Sequence, residues 1–204
     1  MNEILRNNVF YKWICLFCGV LPVSAIALHV MDLIDLFSFY PVIIFLYSLV
    51  IFLSLNKPKL GKVILIGWLS GIIAVSFYDV SRLPFMAMGW DDFIPKIGGW
   101  LIGEEEEFTL GYLWRYIGNG GGLGITFFVL LSFLKERKNY ILLGLLFGLF
   151  ICLCLDLTLL ISPQSETLMF EITPLTIIGG TVGHIVYGLT LGILANFFYK
   201  KERF

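Results

Sequence analysis

Residues 63–81 read VILIGWLSGIIAVSFYDVS, nineteen positions with one charge, Asp79, close to their end. An apolar run of about 20 residues is what a helix needs to cross a hydrocarbon core about 30 Å thick. Gly67, Gly71, Val75 and Asp79 recur four residues apart, so small side chains and the carboxylate share one helix face. In lipid, packing rather than hydrophobicity drives helix association, and such a face lets backbones approach closely. A carboxylate at the end of that stripe is therefore expected to face protein. It also needs a reason, since a charge at a span's centre costs at least ~2.5 kcal/mol.

Outward from this stretch the chain continues in the same style. It is 58% hydrophobic and 14% charged over 204 residues, with a mean hydropathy of +0.90. Soluble domains carry about a quarter charged residues, which excludes an ordinary soluble fold. Six spans are expected, at 9–31, 40–56, 63–81, 109–134, 140–161 and 174–199. The predicted fold is all-α, a single six-span transmembrane domain covering 1–204 and built as three helical hairpins. The first span is long and no small-x-small site follows it, so it reads as retained rather than cleaved. Cys15, Cys18, Cys152 and Cys154 read as small apolar residues in packed helices, not as a redox set.

Charge is distributed by side. Arg6, Lys12, Lys57, Lys59, Lys62, Lys135, Arg137, Lys138, Lys200, Lys201 and Arg203 fall on one side, eleven of the 14 basic residues. Arg82, Lys96 and Arg115 are left for the other. The positive-inside rule then predicts an inner (plasma) membrane protein with cytoplasmic amino and carboxyl termini. The lipid bilayer is the expected partner, and no face suits nucleic acid.

Gly144, Gly148, Cys152 and Asp156 repeat the small-residue stripe of the third span at an offset of 77. With Lys135-Glu136-Arg137 and Lys201-Glu202-Arg203 closing the next spans, this reads as a weak parallel internal repeat. Gly180, His184, Gly188 and Gly192 form a third stripe. In the fourth span the run Gly118-Asn119-Gly120-Gly121-Gly122-Leu123-Gly124 permits tight helix contact, the favoured reading, or a break where the helix lines a cavity. Residues 82–108, with Trp90 and Trp100, read as an interfacial segment roofing the outer side, after the third span stops ahead of Pro84. Glu104 to Glu107 suit the positive end of the following helix.

Helix rise converts spacing into depth. His29, Asp32, Asp79, Arg115, Asn119, Asp156 and His184 lie 16 to 20 residues from the basic ends of their spans. At 1.5 Å per residue all seven sit roughly 24–30 Å above the cytoplasmic collar. Asp79, Arg82, Arg115 and Asn119 are read as structural partners, with Arg82 pairing locally with Asp79 three residues earlier. His29, Asp32, Asp156 and His184 are read as a ligand or metal site. Two histidines and two carboxylates suit Zn or Fe, and the two histidines alone would suit haem b.

The function these residues predict is an outward-facing intramembrane His/Asp/Arg site for a metal ion or for a small polar or lipid ligand. Whether it is an enzyme is left open, because no nucleophile–base pair is recognisable. Two alternatives stay beside this reading. One is a structural or assembly subunit whose polar layer is only an ion-pair network. The other is a small transporter or bis-histidine haem protein, although the inner two-thirds of each span carries almost no charge.

Overall fold

The computed structural model describes residues 2–134 and 139–201. Lys135, Glu136, Arg137, Lys138, Glu202 and Arg203 of the basic clusters lie outside them, as do the side chains of Arg6, Lys200 and Lys201. The described residues are all-α. The long elements are α1 (Asn2–Val30), α2 (Leu36–Leu55), α3 (Pro58–Ala87), α7 (Tyr140–Ile161) and α9 (Pro174–Lys201). Between α3 and α7 come α4 (Ile94–Ile102), α5 (Phe108–Leu113), a π-helical segment (Trp114–Gly120) and α6 (Gly121–Leu131), and α8 (Ser165–Leu168) precedes α9.

Four stretches are long and apolar enough to cross a membrane: Val9–Val30, Pro58–Ala87, Tyr140–Ile161 and Pro174–Tyr199. Leu36–Phe52 is a shorter apolar helix. The long helices do not segregate a polar from an apolar face, whereas short α4 is strongly amphipathic. Helices apolar all round belong in lipid or a core, whereas α4 buries one apolar face against the bundle.

α6 is the axis of the bundle. Every residue from Gly121 to Val129 is buried, enclosed by α1, α3 and α9. Its glycines make this possible. A Cβ on Gly67 of α3 would stand 2.8 Å from the Gly124 carbonyl oxygen, and Gly71 meets Gly120 in the same way. On α1, Gly19 backs onto Gly122 and Thr126. α7 packs on α9 through Gly144 and Gly148 against Gly188 and Gly192, a Cβ on Gly148 falling 3.0 Å from the Gly188 Cα. Gly180, in the same stripe, touches nothing within 4 Å. α2 lies at the edge, on α1 and α3, and exposes much of its apolar surface. α1 and α7 touch only briefly.

Three expectations change. α3 does not stop before Pro84 but carries it inside the helix and runs on to Ala87. Thirty residues make a helix of about 45 Å, longer than the hydrocarbon core, so its last turns carry Arg82 beyond the depth of Asp79. α2 begins at Leu36, four residues early, because the Asp35 carboxylate caps it by accepting from the Phe37 and Ser38 amides. Trp90 is not an interface anchor. It is 3% exposed, stacked with Phe93 and edge-on to Phe170.

Candidate functional site

The glycine-rich run does two things at once. Gly120, Gly122 and Gly124 make close contacts, while the residues just before them widen into the π segment. A π-helix shifts the backbone hydrogen-bond pattern and commonly marks a functional position. Here the surroundings take up carbonyls of the widened turn. Ile117 O accepts from both the Tyr47 hydroxyl (3.1 Å) and the Trp68 indole (3.2 Å), and Gly120 O accepts from the Tyr187 hydroxyl (2.9 Å). The widened turn carries Arg115 and Asn119.

Arg115 is buried and donates through Nε and Nη2 to one oxygen of Asp79, with Nε at 2.8 Å. Its guanidinium also lies 4.7 Å from the Tyr78 ring centre. Asp79 therefore pairs across helices, not with Arg82. α3 continues past Asp79, and Arg82 turns instead to Asp92 at the start of the α4 segment. Arg82 is 1% exposed and packs over the Trp90 and Phe93 rings. Asp92 also accepts from the Tyr112 hydroxyl at 2.7 Å and the Ile94 amide at 3.2 Å. Burial alone would raise its carboxyl pKa, but Tyr112 and Arg82 together hold it below the ordinary value. This cluster pins α4 over the bundle, and Lys96 ties it to the Thr167 and Met169 carbonyls. Glu107 caps α5 at the Leu110 amide.

Beneath α4 lies a cavity of about 330 Å³. Ile97 of α4 and Phe93 just before it form its roof, and α1 and α7 flank it with Val23, Ala27, Ile151 and Leu155. Tyr78, Arg115, Asn119, His184 and Tyr187 bring polar groups to its wall, and Ser24 of α1 and Thr158 of α7 add hydroxyls. His184 is 8% exposed and meets the Tyr78 ring edge-on at 5.2 Å. Its Nδ1 lies 2.8 Å from Gly180 O. A carbonyl only accepts, so Nδ1 carries the proton and Nε2 is left as an acceptor. Asn119 Oδ1 is buried with no hydrogen-bond partner among the described residues.

The four residues read as a metal shell do not assemble as one. Among the described residues, no three His, Cys, Asp or Glu side chains come together to hold a metal ion. His29 lies against Trp100, ring centres 4.5 Å apart, with Nδ1 near Ile34 O and the Leu36 amide. Asp32 is exposed and ends α1 in left-handed backbone (φ 59°), its amide bonded to His29 O. Asp156 is half-buried beside α9, where the Cys152 thiol approaches it at 3.7 Å. Of the four, His184 alone lines the cavity. Tyr78 and Tyr187 are cavity residues that spacing did not single out as a pair. The signal available for Tyr187 was its place one turn from His184.

Fold and site together define a multi-pass membrane protein with a buried ion pair and an apolar cavity carrying a few polar groups. No protein-family model matches the chain, and neither curated proteins nor solved structures give a match.

Proposed function

We propose that this is a six-span inner (plasma) membrane protein, both termini cytoplasmic, whose outer half holds a binding site for a lipid or similar amphiphile. Phe108–Leu131, continuous through its π segment, and Leu36–Leu55 supply the two spans beyond the four long helices. The eleven-to-three distribution of basic residues sets the orientation. The matching glycine contacts of α3 with α6 and of α7 with α9 support the parallel repeat.

The observation that carries the binding reading is the cavity itself. It has the size of small-ligand pockets, a mostly apolar lining and a few polar groups. α1 and α7, which flank it, touch only briefly, and its lining residues Phe150 and Cys154 are exposed, which supports access for bilayer lipid from that side. A pathway for transport would need polar access from both faces. The inner parts of the spans offer none in sequence. His29, Asp32 and Asp156 serve the outer ends of their helices in this reading, and His184 serves the ligand.

Lipids that co-purify with the protein test this. Ala27→Trp places an indole in the cavity from a half-buried position on α1. An amphiphile retained through purification by the parent protein should be lost from this variant. The same lipids in the same amounts from both would overturn the reading.

A further inference from the structure

The polar groups of the cavity restrict what it can hold. Among the described residues, Arg115 supplies the one full positive charge in its wall, and that charge is already taken. Two of its nitrogens donate to a single Asp79 oxygen, so the pair is neutral as seen from the cavity. An anionic head entering here would lose its hydration and, among the described lining residues, meet no unpaired cation to replace it. His184 is buried, which disfavours a charge on its ring. With Nδ1 donating to Gly180 O, the neutral ring keeps Nε2 as an acceptor. Asn119 Oδ1, on a residue of the same wall, is a buried acceptor with no partner among the described residues. Buried acceptors of this kind call for a donor.

We infer that the ligand is an uncharged amphiphile whose head carries a hydroxyl that donates to His184 Nε2, with its apolar part between α1 and α7. This rests on the reading that the cavity takes an amphiphile, and it narrows that reading from lipids in general to neutral, hydroxyl-headed ones.

Three probes of equal acyl chain decide it: a monoacylglycerol, its O-methylated ether, and lysophosphatidic acid. Each is titrated into the full-length protein in an amine-oxide detergent, whose head has no hydroxyl to compete. Binding is read by native mass spectrometry. The monoacylglycerol should bind about tenfold more tightly than either of the others, the size of one satisfied buried hydrogen bond. In His184→Phe, which keeps a flat ring against Tyr78, the advantage over the ether should vanish while apolar binding persists. Tightest binding by lysophosphatidic acid, or equal binding of alcohol and ether by the parent protein, overturns the inference and leaves the amphiphile site standing. An unchanged alcohol preference in His184→Phe also overturns it. Should that variant fail to fold, the comparison of alcohol and ether in the parent protein still decides. Failure of all three probes, with lipid co-purification unaffected by Ala27→Trp, is a different result and removes the site itself.

Discussion

Asp79 on α3 and Arg115 in the π segment are joined by two hydrogen bonds to one carboxylate oxygen, across 36 residues of sequence. The nearer arginine, Arg82, is three residues from Asp79 and goes elsewhere. The pair fixes α3 against the widened turn and neutralises a guanidinium that would otherwise stand alone in an apolar cavity wall.

Asp79→Asn should therefore destabilise the bundle by roughly 3–5 kcal/mol, because it leaves Arg115 charged, buried and unpaired. The double change Asp79→Leu with Arg115→Met should recover much of that loss, since well-packed apolar residues often replace a buried pair without cost. Reversible unfolding of the purified protein in mixed micelles measures both. A double variant no better than the single one would show that the pair does more than satisfy its own charges.

The second arginine pair gives a dependence on pH. Asp92 has its carboxyl pKa held below the ordinary value despite burial, by Tyr112 and Arg82. A group with a depressed folded-state pKa stabilises fully above its unfolded value, about 3.9 for aspartate, and loses that contribution as pH falls through its own lower value. Docking of α4 should accordingly hold at neutral pH and weaken below about pH 4. Amide exchange over Ile94–Ile102 reports it. Asp92→Asn should show weak protection at neutral pH and no further acid-dependent loss in that window.

Much of the architecture was legible in sequence, and what was not has definite causes. The long spans follow from apolar length alone, and the glycine stripes at 67/71 and 144/148 mark real close approaches. Depth was also countable, because helix rise is fixed. Azimuth was not, and counting residues cannot say on which side of a bundle a side chain emerges. Counting gives His29 and His184 the same depth, yet one is held by Trp100 and the helix-ending loop and the other lines the cavity. The Asp79 pairing was misread because local spacing offered Arg82 and nothing in spacing offers Arg115. The π segment has no signature beyond its glycines, and the carbonyl acceptors it presents appear only when Tyr47, Trp68 and Tyr187 are folded against it.

That segment yields its own test. Tyr47 and Trp68 donate to the same carbonyl, Ile117 O. Removing either hydrogen bond leaves the other, so Tyr47→Phe should cost less than about 1 kcal/mol. Trp68→Phe removes ring volume as well as the donor, and its cost is measured as the reference. The double variant strands the carbonyl and should lose about 1–3 kcal/mol beyond the sum of the singles. Strict additivity would mean that the carbonyl finds another donor.

Topology follows from the charge distribution. Reporter fusions after Lys59, Lys138 and Phe204 are expected to register in the cytoplasm, and fusions near Asp92 and Glu166 outside. A cytoplasmic signal near Asp92 would reverse the α4 side of the bundle and the leaflet from which the cavity is reached.

Gly180 and Gly188 belong to one stripe on α9, eight residues apart, and sequence treats them alike. The structure separates them. A Cβ on Gly180 meets nothing within 4 Å, whereas one on Gly188 would stand 3.1 Å from the Gly148 Cα and would press on the Gly144 carbonyl. A backbone cannot yield as a flexible side chain can, so Gly188→Ala must push α7 away from α9 along their shared seam. Gly180→Ala, by contrast, adds a methyl to open space and replaces a poor helix former with the best one, a gain of up to about 1 kcal/mol. Thermal unfolding of the two variants should thus move in opposite directions, down by an amount typical of overpacking (about 1–3 kcal/mol) for Gly188→Ala and unchanged or up for Gly180→Ala. If both are equally tolerated, α7 does not pack on α9 through these glycines. If Gly180→Ala alone is harmful, that position is covered by something beyond this chain.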